Sequence, residues 1–182
     1  MNKVTRWLAT SSLVGAFAFM LSVEEAAAQK PDYSGKWQIN LEKSDDMAFK
    51  IRDAVGATGE ITRSDVRLIA DRLTELASAV EWLEIEQSEK DFKIFDRDDN
   101  VRIYYLDGKK HPRQTPWGAM LQAQTGWNKD LLIVNTEGKD LGSISEIYGR
   151  EDDQLLFLLQ VENKKFEKTL IVRSYYDRAD SR

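Results

Sequence analysis

The sequence predicts a mainly β protein, an antiparallel up-and-down β-barrel of about nine strands with one amphipathic helix inserted after the first strand. Short runs alternating apolar and polar residues recur through the second half of the chain, the period-two pattern of a strand with one buried face. Clusters of turn residues separate them. Most are too short to hold a crossover helix, so neighbouring strands pair antiparallel. One stretch alone, 62–80, repeats its apolar residues every three or four positions instead.

The amino terminus precedes the fold. Lys3 and Arg6 stand before an apolar run from Trp7 to Val23, and Ala26-Ala27-Ala28 supplies a small-residue cleavage pattern. Residues 1–28 therefore read as a secretory signal peptide cut before Gln29. The run falls short of the roughly 20 apolar residues a spanning helix needs, and Glu24-Glu25 follows it in place of basic stop-transfer residues. Residues 29–182 remain as a single domain, expected to be periplasmic or secreted, with no stable membrane insertion. The chain carries 26 Lys and Arg against 31 Asp and Glu, a formal charge of -5. Interspersed charge of that sign offers no basic face for phosphates, which argues against nucleic acid as a partner. With no cysteine, disulfides, thiolate metal sites and cysteine nucleophiles are excluded together, and the core alone must hold the domain.

Within that domain the first strand is Tyr33-Ser34-Gly35-Lys36-Trp37-Gln38-Ile39-Asn40. Trp37, Ile39 and Leu41 alternate with Lys36, Gln38 and Asn40, and Gly35 admits a close approach of the backbone. The connection 42–59 has no clean period, although Ser44-Asp45-Asp46 offers a cap for a short helical turn through Met47-Ala48-Phe49. In 62–80, Val66, Ile69, Leu73, Leu76, Ala77 and Val80 form one stripe after an N-cap at Ser64. Its polar face is mixed in charge, which suits packing on a sheet rather than lying on a membrane. Further strands are expected at 82–87, 92–95, 101–106, 120–125, 131–135, 143–148, 155–161 and 168–176. Leu155, Phe157, Leu159 and Val161 share one face of their strand while Leu156 and Leu158 share the other, and Ile171 likewise opposes Leu170 and Val172. An outer face of that kind needs cover, from the helix or from a second copy.

The opening Gly35-Lys36-Trp37 and the closing Arg173-Ser174-Tyr175-Tyr176-Asp177-Arg178 together resemble the lipocalin and wider calycin pattern. The stretch from Tyr33 to Asp45 is similar to exported bacterial lipocalin-like domains of unassigned function. The resemblance implies structural closure by Gly35, Trp37 and Arg173, with the arginine packed over the tryptophan at the barrel base. The chain departs from the pattern in placing its helix after the first strand.

Chemistry-bearing groups are sparse. Residues 107–118 form the longest connection in the second half, holding the only histidine and two of the three prolines. That loop can act as a lid at a barrel mouth, with His111 or Arg113 meeting an anionic group and Trp117 giving apolar contact. A Ser-His-Asp site would have to use His111, and no serine sits in a nucleophile elbow. Zinc lacks a second histidine. Asp96 to Asn100 misses the glycine and glutamate that an EF-hand loop requires. Glu84, Glu86, Glu146 and Glu162 lie on strands, but nothing in the sequence pairs them as an acid and a base. No catalytic residue, metal site or cofactor is therefore assigned.

A barrel of about eight strands is either filled by side chains or holds one small ligand. The rings of Trp37, Trp82, Phe95, Tyr104, Tyr105, Trp117, Trp127, Tyr148, Phe157 and Tyr175 supply its core and lining, with Trp37, Tyr105, Trp117 and Trp127 the candidates to contact a guest and Gln122, Gln124 and Asn135 pointing inward to orient it. The first functional reading is non-catalytic binding of a small apolar or amphipathic ligand. The alternative is a protein-protein interaction or inhibitor module of the cell envelope, and the lesser alternative an enzyme with its site in the 107–118 loop.

Overall fold

The computed structural model describes residues 30–55, 64, 67–68, 71–73, 81–96, 100–115, 117–138 and 142–179. The signal segment and most of the helix expected over 62–80 lie outside the described residues; Ser64, Arg67, Leu68 and residues 71–73 are helical, and Leu73 is fully buried. Ten strands form one antiparallel sheet: β1 (Gly35–Ile39), β2 (Trp82–Gln87), β3 (Asp91–Asp96), β4 (Val101–Tyr105), β5 (Lys110–Gln114), β6 (Met120–Asn128), β7 (Leu131–Gly138), β8 (Gly142–Glu151), β9 (Gln154–Glu162) and β10 (Leu170–Arg178), with α1 (Met47–Val55) between β1 and β2. Each strand pairs with its neighbour in sequence except across β4 and β5, and β1 pairs with both β2 and β10. The result is a nearly closed barrel whose first and last strands meet.

Two elements differ from the sequence reading. The 107–118 connection contains β5, an edge strand paired only to β6 with Pro112 opposite Gln122. An edge is where a sheet tolerates a proline, because only one side of the strand needs ladder donors. The turn expected at 47–49 extends into the nine-residue α1. Asp46 caps it, its Oδ1 accepting from the Phe49 N–H at 2.9 Å. Ile51, Ala54 and Val55 then bury one side of the helix. Between β1 and α1 the chain keeps to the edge of β10: Asn40 N–H donates to Tyr175 O, Asp45 N–H to Arg173 O, and Tyr175 N–H to Ser44 Oγ, all at 2.8–2.9 Å. The helix therefore lies beside the start of β10, where it shares a cleft of about 240 Å³ with Ile171. Leu156 and Leu158, on the outer face of β9, are half-buried.

The base of the barrel is organised by Trp37, which is fully buried, its indole N–H donating to Tyr33 O at 3.0 Å. Two guanidiniums cover the ring, Arg178 at 5.4 Å and Arg150 at 5.8 Å from its centroid. The arginine over the tryptophan is thus Arg178. Arg173 is exposed, and its backbone pairs with Asp45. The difference is one of face and position. Trp37 stands opposite Arg178 in the β1–β10 register, five residues beyond Arg173. Gly35, at φ 134°, makes room for the same guanidinium, since a Cβ there would stand 2.9 Å from Arg178 Nη2.

Replacing Trp37 with Ala is expected to cost about 3–5 kcal/mol in chemical denaturation, the range for a large ring lost from a packed core. Arg178→Ala should cost about 1 kcal/mol, the scale of a cation–π contact and a hydrogen bond, and Arg173→Ala less than about 0.5 kcal/mol. Equal costs for the two arginines would contradict this description of the base.

Candidate functional site

The inward face changes character along the barrel axis. Towards the end where β2 turns into β3 and β6 into β7, large rings fill the interior. Phe92 and Tyr148 stand 5.0 Å apart, Tyr148 and Phe157 5.2 Å, and Tyr33 lies parallel to Trp127 at 6.2 Å. Towards the α1 end the inward residues are Ala123, Ile144, Val161, Leu170 and Val172, all buried. These follow from simple alternation along β6, β8, β9 and β10. Between the two zones lies a belt of ionisable groups.

At the belt's centre is Glu146 of β8, fully buried. Its Oε1 accepts from Arg113 Nη1 on β5, in an ion pair almost wholly out of solvent. Its Oε2 accepts from the Tyr104 hydroxyl of β4 at 2.7 Å and from the Tyr148 hydroxyl at 3.1 Å. Arg113 also lies over the Tyr104 ring at 5.2 Å. Burial pushes the Glu146 carboxyl up, but Arg113, Arg102 and the hydrogen bonds outweigh it and hold the group below its usual value, hence ionised. Burial is also the main reason that the Tyr104 and Tyr148 hydroxyls are pushed well up and stay protonated. The belt bridges β4, β5 and β8, so it ties together the two strands that no backbone ladder joins. Lower down, the Thr125 hydroxyl donates to Tyr105 O, and Gln124 Nε2 to Gly108 O at 2.7 Å.

Two buried polar atoms stand outside this network. Among the described residues Thr136 Oγ1 of β7 finds no partner, although the residue is only 1% exposed. Its neighbour Val134 is directly opposite Glu146, so Thr136 sits diagonally from the carboxylate on the same inward face. The Trp127 indole N–H is the other among the described residues. Trp127 lines an open cleft of about 580 Å³ at the aromatic end together with Lys30, Asp32, residues 87–89 and Leu106, and the Lys30 ammonium lies 5.2 Å from its ring centroid.

Of the residues proposed from sequence, Arg113 and Trp37 point inward, one in the charged belt and one at the base. Trp117 is half-buried at the α1 end, with Arg72 5.7 Å from its ring. Tyr105 is exposed outside the barrel, its ring 4.4 Å from that of His111, which pairs with Asp107 at 2.9 Å. Gln122, Gln124 and Asn135 face outward, a correction to the inward orientation expected of them. Leu121, Ala123 and Thr125 take the inward positions on β6. Glu84, Glu86 and Glu162 likewise face out, so no second carboxylate joins Glu146 from that set. What sequence reasoning missed is the polar role of the Tyr104 and Tyr148 hydroxyls, Thr136 and, as a partner for Arg113, Glu146. The available signal was parity: Glu146 shares a face with Ile144 and Tyr148, an acid in an otherwise apolar row.

No protein-family model and no curated protein matches the chain. Solved structures do. The REP1-NXSQ fatty acid transporter superposes with a TM-score of 0.53 at 15% identity, over 82% of this chain and 97% of that one. Lipid binding protein 8 of Caenorhabditis elegans gives 0.56 at 15%, over 84% and 100%. The zebrafish ileal bile acid-binding protein, crystallised with cholic acid, gives 0.51 at 12%, over 81% and 98%. At these identities the likeness is one of fold, a calycin-like β-barrel.

Arg113→Met strands a buried carboxylate and should cost about 3–5 kcal/mol, whereas Arg113→Met with Glu146→Gln, which keeps an acceptor for both tyrosines, should recover most of that loss. Because the Glu146 value is depressed in the fold, its contribution is complete above the ordinary 4.5 and disappears as pH falls through the lower folded value. The raised tyrosines act on the other side: their contribution is complete below 10 and is lost as pH rises towards about 12, the folded value for Tyr33 and Tyr176. Denaturation midpoints across pH should show both limbs in the natural protein and a weakened acid limb in the double variant.

Proposed function

We propose that this chain is a non-catalytic carrier of a small apolar or amphipathic molecule, held inside the barrel between the charged belt and the α1 end. The observation that carries this reading is the composition of the inward face. Aliphatic walls with a few converging polar groups are the ordinary make-up of small-molecule sites, and here those groups are Arg113, Tyr104, Tyr148, Glu146 and Thr136. The fold matches support it, since solved barrels that superpose on this one include a fatty acid transporter and a bile acid-binding protein. Among the described residues no group of His, Cys, Asp and Glu is placed to hold a metal ion.

The reading includes export. Residues 1–28 have the charge, apolar run and cleavage pattern of a signal peptide, so the carrier would work in the periplasm or outside the cell, as the single domain 29–182. Intact mass of the protein recovered from cell-envelope and culture fractions tests this. A mature chain beginning at Gln29 supports export, and full-length protein confined to the cytoplasm contradicts it.

The interior site is tested by titrating a neutral apolar fluorophore. Saturable uptake of about one probe per chain is expected. Ala123→Phe, which puts a ring on the inward wall at a packing cost of about 1–3 kcal/mol, should weaken uptake at least tenfold while the protein remains folded by circular dichroism. Undiminished uptake by that variant would place the probe elsewhere and remove the interior site.

A further inference from the structure

The aromatic end of the barrel opens on the cleft of about 580 Å³ lined by Lys30, Asp32, residues 87–89, Leu106 and Trp127. The chain runs out along it in a fixed direction. The β1–β2 register, with Gly35 opposite Ile85 and Lys36 opposite Glu84, continues past the ladder and brings Tyr33 beside Gln87. There the Gln87 side chain replaces the ladder: its Oε1 accepts from the Tyr33 N–H at 3.1 Å, and its Nε2 donates to Pro31 O at 2.8 Å. The Gln87 N–H donates to Ser34 Oγ at 3.1 Å. Residues 31–34 are thereby pinned along the turn from β2 to β3. Lys30 follows on the cleft wall, its ammonium over the Trp127 ring.

Two carboxylates line this cleft against one ammonium. Asp32 spends its Oδ1 on the Ser34 N–H at 2.9 Å, and hydrogen bonds from Ser34 hold its carboxyl below the usual range. Arg150 and Arg178 also act on Asp32. Glu89 is exposed on the turn and, among the described residues, makes no ion pair or hydrogen bond. Lys30, over the indole, forms an ion pair with neither acid. Lys90, next on the turn, does not line the cleft, and the Gln87 amide and Ser88 hydroxyl are already taken. What the cleft lacks is a second cation.

A cut before Gln29 supplies one. Gln29 stands a single Cα step, about 3.8 Å, before Lys30. Cleavage turns its amide nitrogen into an α-amine of ordinary pKa about 7.7–8.0, an ammonium at neutral pH.

We propose that the cleft is the seat of the mature amino terminus: the Gln29 α-ammonium lodges between Glu89 and Asp32, beside Lys30, and neutralises the cleft once residues 1–28 are removed. The seat rests on the export reading above, because without the cut there is no such ammonium. Glu89 is the principal partner, since Asp32 already has the arginines.

A free amino-terminal glutamine reports on its own freedom. Its unprotonated α-nitrogen attacks the side-chain Cδ; the N–Cδ bond forms, the Cδ–Nε2 bond breaks, a proton passes from the α-nitrogen to the leaving nitrogen, and ammonia departs to leave a lactam. A seated ammonium neither loses its proton as readily nor reaches Cδ. The test follows that loss of ammonia by intact mass, at neutral pH and low salt, in mature protein recovered from the cell envelope and in a synthetic peptide of residues 29–34. The protein should cyclise about three- to fivefold more slowly than the peptide, the scale of an exposed ion pair. Glu89→Gln with Asp32→Asn should close most of that gap, and so should molar salt. Both positions are exposed and Asn keeps an acceptor for Ser34, so the double variant folds. Mature protein that cyclises as fast as the peptide, or a double variant no faster than the natural chain, overturns the seat and leaves export intact. A recovered chain that does not begin at Gln29 overturns both.

Discussion

The structure depends on one pairing, that of β1 with β10. β1 is five residues long, yet it is hydrogen-bonded on both sides, to β2 and to β10, so the oldest and newest parts of the chain become central strands. A strand so short contributes little ladder of its own. What fixes it is Trp37, driven from water by its area and held by a carbonyl below and two guanidiniums above. Tyr33 adds a second tie, its hydroxyl set against the carbonyls of Asp130 and Tyr148 on the far wall. Closure at the termini moves the sheet's two free edges to β4 and β5. Everything chemical about the molecule follows from where those edges fall.

Two strands without a shared ladder need another means of staying together. Side chains supply it: Tyr104 from β4 and Arg113 from β5 both reach Glu146 on β8, and the Thr125 hydroxyl reaches Tyr105 O. The gap and the buried ion pair are two aspects of one arrangement. Where the backbone does not pair, polar side chains span the interior, and they can do so only because their charges neutralise each other there. The aromatic zone below has no such need. Its rings meet one another across the interior, whereas the zone above is lined by buried Ala, Val, Ile and Leu side chains.

How far this could be read from the sequence divides along a physical line. Strand positions were legible because period-two alternation is local: eight of the ten strands are where the pattern puts them within a few residues, and the opening strand is a ninth. β5 was hidden because Lys-His-Pro-Arg-Gln lacks apolar residues to alternate and carries a proline, and its strand state is imposed by β6. α1 was hidden because its apolar residues span barely two turns. The choice of face was less secure than the choice of element. Gln122 and Gln124 were given the inward side that Ala123 and Thr125 occupy, and a one-residue shift reverses every side chain of a strand. The closing arginine was misplaced for a related reason, since only register distinguishes Arg173 from Arg178. Arg113 could be singled out as a candidate, but its partner lies 33 residues away on a strand it does not adjoin, a relation that no local pattern contains.

Stability alone does not account for Glu146. Carboxylates are costly to bury, and pairs like this one can often be replaced by apolar residues of similar volume with no loss or with a gain. A barrel selected only for stability had Ile, Leu or Val available at this position, as on either side of it along β7 and β9, where Val134 and Leu159 face it. The full complement of partners shows that the charge is tolerated, with an arginine on one oxygen and two phenols on the other. It does not show why the charge is there. A fixed ion pair inside the barrel has one property no hydrocarbon pair can imitate: its hydrogen bonds have direction, so it holds Tyr104 of β4 and Arg113 of β5 to one point on β8 across the gap that no backbone ladder closes. A leucine there would fill the volume, but it would leave the two edge strands without a common side-chain anchor.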